Sequence, residues 1–310
     1  MSILKKISLA GYLAFSISSI LIVGTVLKDI FDDRTKIVFC DVGQGDGAYI
    51  RTREKTDILV DAGPDKKILY CLGKHMPFFD RTIEVAFLSH PQKDHYGGYS
   101  YILDRYNINT FILGPFDSAN KTFSVLKKKL GEKNVSTKIL YQNARVQNSS
   151  RGEEDWLITM IYPDRKTITS IHDGRIPVSL SDLIPARSGS DPNEFSLVFM
   201  FSQKNIHTLF TGDASPSLLK YIEKTIRIDY PQGMTFLKVP HHGSRNGLTQ
   251  DFLTLADPTV SVISAGKGNP YGHPSKEVLY FFKALKKKYI RTDENGDVVI
   301  YVKGGRWNVD

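Results

Sequence analysis

The chain has 310 residues, of which 41% are hydrophobic and 24% are charged. This balance excludes a disordered chain and one embedded mostly in a membrane. The formal net charge of +8 permits a polyanionic partner, such as nucleic acid or an anionic membrane face, without identifying one. Two cysteines are too few for a disulfide framework or a cysteine-based zinc site. We expect Cys40 to be buried and inert; a single disulfide with Cys71 is the less favoured alternative.

The first predicted element is an apolar helix near the N-terminus. Lys5 and Lys6 precede Ile7–Leu27, an uncharged stretch that is long enough to cross a bilayer. The lysines favour a cytoplasmic N-terminus. We therefore expect residues 1–35 to form a membrane anchor or signal segment with a short linker, and the remaining chain to lie outside the cytoplasm. A secreted or periplasmic protein is the alternative, although no A-x-A cleavage pattern follows the apolar run.

Residues 36–310 alternate short apolar runs with amphipathic stretches and are predicted to form one domain. The runs predict strands at 36–42, 47–52, 57–63, 84–90, 110–114, 137–141, 156–163, 195–201, 206–213, 234–244 with its terminal histidines, 259–266 and 297–304. Helical spacing predicts helices near 95–106, 121–130, 215–225 and 275–287. Two β-rich halves, each followed by helices, predict two sheets packed face to face with helices outside. The polar stretch from Pro163 to Asn193 has no convincing periodicity, and a lid or insertion and disorder remain open.

Histidines in polar turns after the predicted strands are the clearest functional signal. His90 and His95 follow one strand, His241 and His242 follow another, and His273 lies in a further turn rich in glycine and proline. Strand ends are where rigid scaffolds present functional groups, so this clustering is not typical of core histidines. The other three are expected to be structural or solvated: His75, His172 and His207.

Aspartates recur at the same strand ends. A dinuclear hydrolytic site needs imidazoles for each ion and one carboxylate that bridges the two. Asp213 is the natural bridge because Gly212 beside it permits a close approach of the backbone. Asp94 directly precedes His95, and Asp61 is better placed to accept a hydrogen bond that orients a liganding histidine.

These motifs together resemble one known family. The runs are, in chain order, FCDVGQGDGAYI, ILVDAG, LSHPQKDHYGG, NEFSLVF, LFTGD, KVPHHGS, ISAGKGNPYGHPS and IRTDENGDVVI. They resemble the metallo-β-lactamase-fold domain at the C-terminus of ComEC-type competence DNA-uptake proteins, over nearly all of Val38 to Ile300. The implied fold is α/β, a four-layer αββα sandwich, here preceded by one N-terminal hydrophobic helix.

The resemblance also implies a set of metal ligands. They are His90, Asp94, His95, Asp213 and one histidine of the HHGS motif, where we favour His241 and keep His242 as the second choice. Gln92 stands where the superfamily has a second loop histidine, and Asn193 stands where it usually has another. The implied cofactor is one or two divalent ions, zinc or manganese. The position that contains Gln92 is expected to bind its ion less tightly, since besides His90 and Asp213 it offers only amide oxygens, which favour harder ions. Asp46 and Asp61 are expected to support the ligands from outside.

The implied activity is metal-dependent cleavage of a phosphodiester, most simply DNA outside the cytoplasm. Asp94, Asp213 and His273 are the catalytic candidates. The candidates for contacts with substrate phosphates are Ser244, Arg245 and Lys267. Open alternatives are a small or envelope phosphoester, a lactone or thioester, a non-catalytic nucleic-acid-binding module and a decayed site. The expected partners are DNA or another phosphodiester polyanion, and the membrane through the helix; the sequence indicates no protein partner.

Overall fold

The structure, a computed structural model, describes residues 9–147, 156–172, 174–185 and 191–310. Fifteen strands lie in these ranges: β1 Thr35–Phe39, β2 Gly47–Arg51, β3 Asp57–Ala62, β4 Thr82–Leu88, β5 Asn107–Leu113, β6 Ser136–Ile139, β7 Arg145–Gln147, β8 Leu157–Tyr162, β9 Val198–Gln203, β10 Ile206–Phe210, β11 Phe236–Lys238, β12 Val260–Ile263, β13 Lys288–Arg291, β14 Val298–Lys303 and β15 Arg306–Val309. Ten α-helices lie in the same ranges: α1 Leu9–Phe31, α2 Ile68–His75, α3 Lys93–Tyr96, α4 Tyr99–Ile102, α5 Lys121–Glu132, α6 Arg165–Ile171, α7 Pro216–Asp229, α8 Gln250–Ala256, α9 Lys276–Ala284 and α10 Thr292–Asn295.

The strands form two mixed sheets. One has eight strands in the order β15-β14-β1-β2-β3-β4-β5-β6, and the other has seven in the order β13-β12-β11-β10-β9-β8-β7. As predicted, the first half of the chain (β1 to β6) forms one sheet and the second half (β7 to β13) forms the other, except at the end of the chain. There, β14 pairs antiparallel with β1, and β15 extends the same sheet. The last hairpin therefore covers the edge of the first sheet.

Three apolar clusters show how the layers stack. The middle cluster joins the facing surfaces of the two sheets, with Phe87 and Phe199 stacked at 4.7 Å between ring centroids. A second cluster lies between the first sheet and α2 to α5, and a third lies between the second sheet and α7 to α9. Each helical layer thus buries one apolar face on a sheet, which confirms the predicted αββα sandwich.

Helices were predicted less well than strands. The helix expected near 95–106 is two short helices, α3 and α4, because the Gly98 amide donates to the Gly63 carbonyl oxygen at 2.9 Å instead of to the preceding turn. The backbone is so close here that a Cβ on Gly98 would lie 2.0 Å from the Ala62 carbonyl oxygen. In the long polar stretch, the described residues contain α6 and short 3₁₀ helices at Leu180–Asp182 and Pro192–Phe195. Ile184 also forms a bridge with Phe116, so the described part of this stretch is packed on the domain.

Cys40 is buried as expected, but the expectation that it is inert was wrong, and the less favoured alternative of a single disulfide is found. Cys40, which follows β1, and Cys71, in α2, form a disulfide with a Cα–Cα distance of 5.8 Å. Both residues are buried. The sequence hid the pair because the two cysteines are 31 positions apart, with two strands and the start of α2 between them.

Helix α1 has the length and composition of a membrane span or a signal sequence. Its apolar part, Gly11–Phe31, has a mean hydropathy of 1.8 and is not buried against the described part of the chain. The end of the helix is tied to the domain: Asp29 lies 3.1 Å from Arg51, and Lys55 Nζ donates to the carbonyl oxygens of Asp29 and Asp32. The predicted boundary after residue 35 stays a prediction, and Lys5 and Lys6 lie outside the described residues.

Candidate metal centre

The candidate site lies where parallel strands of both sheets end. In the first sheet β3 and β4 run parallel, and in the second sheet β10, β11 and β12 run parallel. Their carboxyl ends lead to Asp61, His90, Asp213 and His242, while α3 supplies Asp94 and His95. Gly212 allows the two sheets to meet here, since it has φ +51 and a Cβ on it would lie 2.8 Å from Ser89 Cβ. Ligand sites of α/β sheets commonly form outside the carboxyl ends of strands.

Four side chains form a compact cluster. The donor atoms of Asp94, His95, Asp213 and His242 all lie within 4.8 Å of one another. Asp213 Oδ1 lies 3.3 Å from His95 Nε2, and Asp213 Oδ2 lies 3.3 Å from His242 Nε2. Asp94 Oδ2 lies 3.4 Å from His242 Nε2 and 4.0 Å from His95 Nε2. Ligands of a tetrahedral ion with bonds of about 2.0–2.1 Å lie roughly 3.3–3.4 Å apart, so the spacing fits such an ion.

The hydrogen bonding of the cluster supports the same interpretation. His95 Nε2, His242 Nε2 and Asp213 Oδ1 are buried and make no aligned hydrogen bond within the described residues. Buried polar atoms without partners are costly, and an ion at the centre of the cluster would satisfy all three.

Electrostatics favours a cation at the same place. Burial opposes the charge on Asp213, but the positive charges of His242 and His95 outweigh it and hold the pKa of Asp213 well below its usual value. The pKa of Asp94 is also lowered, because its contacts with His242 and His95 outweigh burial. Burial disfavours the charged rings, yet Asp213 and its neighbouring carboxylates raise the pKa of both histidines well above the usual value. The cluster thus attracts positive charge, which a divalent ion supplies in place of the protons.

Outer carboxylates fix the ring nitrogen that each histidine presents. His95 Nδ1 donates to Asp61 Oδ2 at 2.9 Å, and Ser89 donates to both Asp61 oxygens at 2.7 Å. His242 Nδ1 donates to the Ser264 carbonyl oxygen at 3.0 Å and lies 3.2 Å from Asp46 Oδ1. With Nδ1 engaged in this way, Nε2 of each ring is left as the ligand atom.

Of the two histidines of HHGS, the structure brings the second choice, His242, into the cluster rather than the favoured His241. His241 and His242 have φ +50 and +53, and this left-handed turn directs His242 into the cluster. His241 Nε2 lies farther away, 3.9 Å from Asp213 Oδ2, and its side chain is 21% exposed. If the extended strand conformation continued past Val239, His241 would face the cluster instead of His242. The two positive φ angles that reverse this arrangement cannot be inferred from the letters HHGS.

A second, less complete set of donors adjoins the cluster. His90 packs on His95 at 4.1 Å between ring centroids, and its Nε2 is buried without a hydrogen bond in the described chain. Burial and the charge of His95 lower the pKa of His90 to about 4, so the ring is neutral at higher pH. Asn193 is buried, and its Oδ1 has no hydrogen-bond partner among the residues that the structure describes, whereas Gln92 is partly exposed at the N-cap of α3.

Sequence reasoning missed a buried lysine beneath the site. Lys238 ends β11, is 3% exposed and forms an ion pair with Asp46. Its Nζ also donates to the Gly212 carbonyl oxygen at 3.2 Å and lies 3.9 Å from Asp213 Oδ1. The signal was a single lysine inside the apolar run MTFLKVP, since lysines are almost never fully buried unless paired.

The remaining candidates lie on the turns around the cluster. The His273 ring centroid is 5.7 Å from that of His241 and 6.3 Å from that of His242. Gln44 Nε2 lies 3.4 Å from His273 Nδ1, while Gln44 Oε1 accepts from the Gly266 amide, so Nδ1 acts as acceptor and Nε2 carries the proton. Burial lowers the pKa of His273 to about 4, as do the charges of His242 and His241.

The three predicted phosphate contacts differ in exposure. Arg245 and Lys267 are exposed, as their predicted role requires. Ser244 is 4% exposed, and its Oγ accepts a hydrogen bond from the Asn246 amide at 3.2 Å. This position does not favour the predicted contact of Ser244 with substrate.

Comparisons with known proteins give three kinds of match. The model of the metallo-β-lactamase superfamily matches residues 40–267. ComE operon protein 3 of Bacillus subtilis is 25% identical over 277 residues, which cover 83% of this chain and 32% of that protein. Recombination protein 2 of Haemophilus influenzae is 26% identical over 295 residues, which cover 91% and 31%. The chain therefore spans about a third of the length of these relatives.

Solved structures match the fold. Igni18, a metallo hydrolase of Ignicoccus hospitalis, has a TM-score of 0.52 at 12% identity and covers 87% of this chain and 100% of its own. CmlA, a diiron β-hydroxylase of Streptomyces venezuelae, has a TM-score of 0.50 at 11% identity and covers 87% and 54%. At such low identity these likenesses show the architecture alone.

Proposed function

The chain belongs to the metallo-β-lactamase superfamily, and on that premise we propose that it is a metal-dependent phosphodiesterase that cleaves DNA outside the cytoplasm. The cluster of Asp94, His95, Asp213 and His242 carries the proposal. Its donor atoms are spaced as ligands of one ion, and three of them are buried without hydrogen bonds in the described chain. A site that had lost its ion would gain stability by replacing these donors with apolar side chains.

The protein's residues would divide the work as follows. The four residues of the cluster would hold the firm ion, and His90, Asn193 and Gln92, with Asp213 shared, would hold a weaker one. A bound ion lowers the pKa of water and withdraws charge from a phosphoryl oxygen. Asp61 and Asp46 keep the rings in place, and the protonated Nε2 of His273 is available to donate to a phosphate oxygen. Manganese or zinc fits the donor set, and the amide-rich position favours the harder ion.

A polyanionic substrate fits the charge of the chain. The net charge is +8, and Arg245 and Lys267 are exposed on turns beside the cluster. Such cations guide phosphates without reading sequence. One relative is named a recombination protein, which supports DNA as the polymer. Gln92 speaks against a lactone or thioester substrate, since such hydrolases commonly use a second loop histidine for the ion that activates water.

The location proposed for this activity follows from α1. As a membrane anchor, α1 would hold residues 36–310 on the outer side of the membrane, where DNA from outside the cell is accessible. The lysines before the apolar stretch favour that orientation.

The test is hydrolysis of single- and double-stranded DNA by the full chain in detergent, with Mn²⁺, Mg²⁺ or Zn²⁺ added in turn. We expect cleavage that requires metal and is abolished by Asp213→Ala. The matched control is Asp251→Ala, an exposed aspartate in the first turn of α8, which should cleave at the wild-type rate.

Three other outcomes would redirect the proposal. Cleavage of small phosphodiesters but not of DNA would point to an envelope phosphoester. DNA binding that survives Asp213→Ala, without any cleavage by the wild type, would point to a binding module. Cleavage that is equal in Asp213→Ala and in the wild type would rule out this site.

A further inference from the structure

An exposed tyrosine stands beside the candidate metal centre. The Tyr271 side chain is 70% exposed, and its ring stacks on His273 with centroids 5.7 Å apart and planes 25° apart. His273 is in turn nearly parallel to His242, at 6.3 Å and 26°. A series of aromatic rings therefore leads from the metal cluster to solvent, and Tyr271 is its outermost member.

The turn that carries Tyr271 is held in place. Asn269 Nδ2 donates to the carbonyl oxygens of Gly266 and His273, at 2.9 and 2.6 Å, and Asn269 Oδ1 accepts from the His273 amide at 3.0 Å. Gly266, at the start of this turn, packs against the backbone of Gln44: a Cβ on Gly266 would lie 2.5 Å from the Gln44 amide nitrogen. The ring is thus presented on an ordered support, which limits the entropy lost when a ligand stacks on it.

We propose that Tyr271 is a stacking platform for a nucleobase of the strand whose phosphate lies at the metal centre. This inference rests on the proposed function and names its substrate class as single-stranded nucleic acid. A base can lie flat on the tyrosine only when it has left its own stack, which is easier in a single strand than in a duplex. Because every base has an aromatic face, such a platform confers no strong sequence preference.

Charge favours a nucleobase over a quaternary ammonium group, the other common ligand of exposed aromatic rings. Lys267 lies in the same turn as Tyr271, and Arg245 lies in the neighbouring turn that follows the HHGS histidines; both are exposed. These cations attract the phosphates that flank a base, and they repel a cationic head group.

The experiment compares two oligomers of equal length. One is single-stranded oligothymidylate, and the other carries a tetrahydrofuran spacer in place of every base, so that the phosphates remain without the rings. For Tyr271→Ala we expect KM on oligothymidylate to rise about 5- to 150-fold with kcat nearly unchanged, and little change on the spacer oligomer. Tyr271→Phe and Tyr271→Trp should retain the wild-type KM. Tyr70→Ala removes a similarly exposed tyrosine, 71%, from α2 and is the matched control.

Failure of this inference and failure of the proposed function are distinguishable. If Tyr271→Ala raises KM equally on both oligomers, or on neither, the stacking platform is overturned while phosphodiester cleavage stays established. If Tyr271→Ala raises KM only on a phosphorylcholine ester, the nucleobase platform is overturned in favour of a site for a quaternary ammonium ligand. If the wild type cleaves neither oligomer, phosphodiester cleavage fails, and equilibrium binding of the same oligomers to wild type and Tyr271→Ala still decides: weaker binding of oligothymidylate alone supports the platform, and equal binding overturns it.

Discussion

The candidate metal centre has two sides around Asp213, one with His95 and His242 and the other with His90, and they differ in how the histidines are supported. On one side, each ring among the donors has its second nitrogen engaged: His95 by Asp61, and His242 by Ser264 and Asp46. On the other side, the Ser89 hydroxyl, at 3.1 Å, is the one hydrogen-bond partner of His90 Nδ1 among the described residues, and the further donors are amides. Outer carboxylates raise the basicity of a ring and fix its orientation, so the difference predicts one firm ion and one exchangeable ion.

The largest effect should come from removing a ring on the firm side. We expect His242→Ala to lose its ion during dialysis and to lower the rate of DNA hydrolysis by more than about 100-fold. This exceeds the usual effect of removing a residue that only hydrogen-bonds to a ligand. His90→Ala should keep one ion per chain. Metal content by mass spectrometry after dialysis measures both, and His172→Ala serves as the control. Retention of a full ion by His242→Ala would contradict the assignment.

The weak side can be strengthened by one substitution. Gln92→His replaces an amide by an imidazole next to His90, and it should raise the affinity for a second Zn²⁺ by about tenfold or more. Calorimetric titration should then show two ions per chain where the wild type binds one firmly. An unchanged stoichiometry would mean that Gln92 does not face the second ion.

The outer carboxylates can be tested without removing a ligand. Asp61→Asn keeps the size of the side chain but weakens the hold on His95, and the affinity for the firm ion should fall about 10- to 100-fold. Asp41→Asn, on the exposed start of the turn that leads to Asp46, is the control and should bind the ion normally. Equal affinities in the three proteins would show that support from Asp61 does not distinguish the two sides.

The smallest effect concerns the turn that carries Asp46. Asp297 accepts from the Asp41 amide at 2.9 Å and lies 3.0 Å from His75 Nε2. Burial opposes its charge, but the hydrogen bonds from His75 and Asp41 outweigh burial and lower the pKa of Asp297 to about 2. Because this pKa lies below that in the unfolded chain, the carboxylate stabilises the fold above about pH 4, and this stability is lost as the pH falls toward 2.

Asp297→Asn should therefore be less stable than the wild type by about 1 kcal/mol at neutral pH, after allowance for solvent screening. Its stability should also fall less steeply between about pH 4 and pH 2. Urea unfolding at several pH values measures this difference. Parallel curves for the two proteins would show that Asp297 does not stabilise the turn through its charge.

The motifs predicted the fold well: the metallo-β-lactamase superfamily is confirmed, and the chain is similar to ComE operon protein 3 at 25% identity. Strands are short and strongly apolar, so their runs were visible, and all four members of the cluster follow such runs. What the sequence could not supply was set by backbone geometry and distant contacts. Two left-handed residues decide between His241 and His242, and the partner of Lys238, Asp46, lies in the turn before β2, far away in the sequence.

The bond between Cys40 and Cys71 also reports on where the domain resides. Structural disulfides form in oxidising compartments and are rare where thioredoxin and glutathione keep thiols reduced. These are the two cysteines of the sequence. The number of thiols that can be alkylated on protein taken directly from cells therefore indicates the compartment of the domain. Zero places the domain on the oxidising side of the membrane, and two places it in the cytosol. A single covalent link inside the sandwich thus serves as a topology marker for the helix that precedes it.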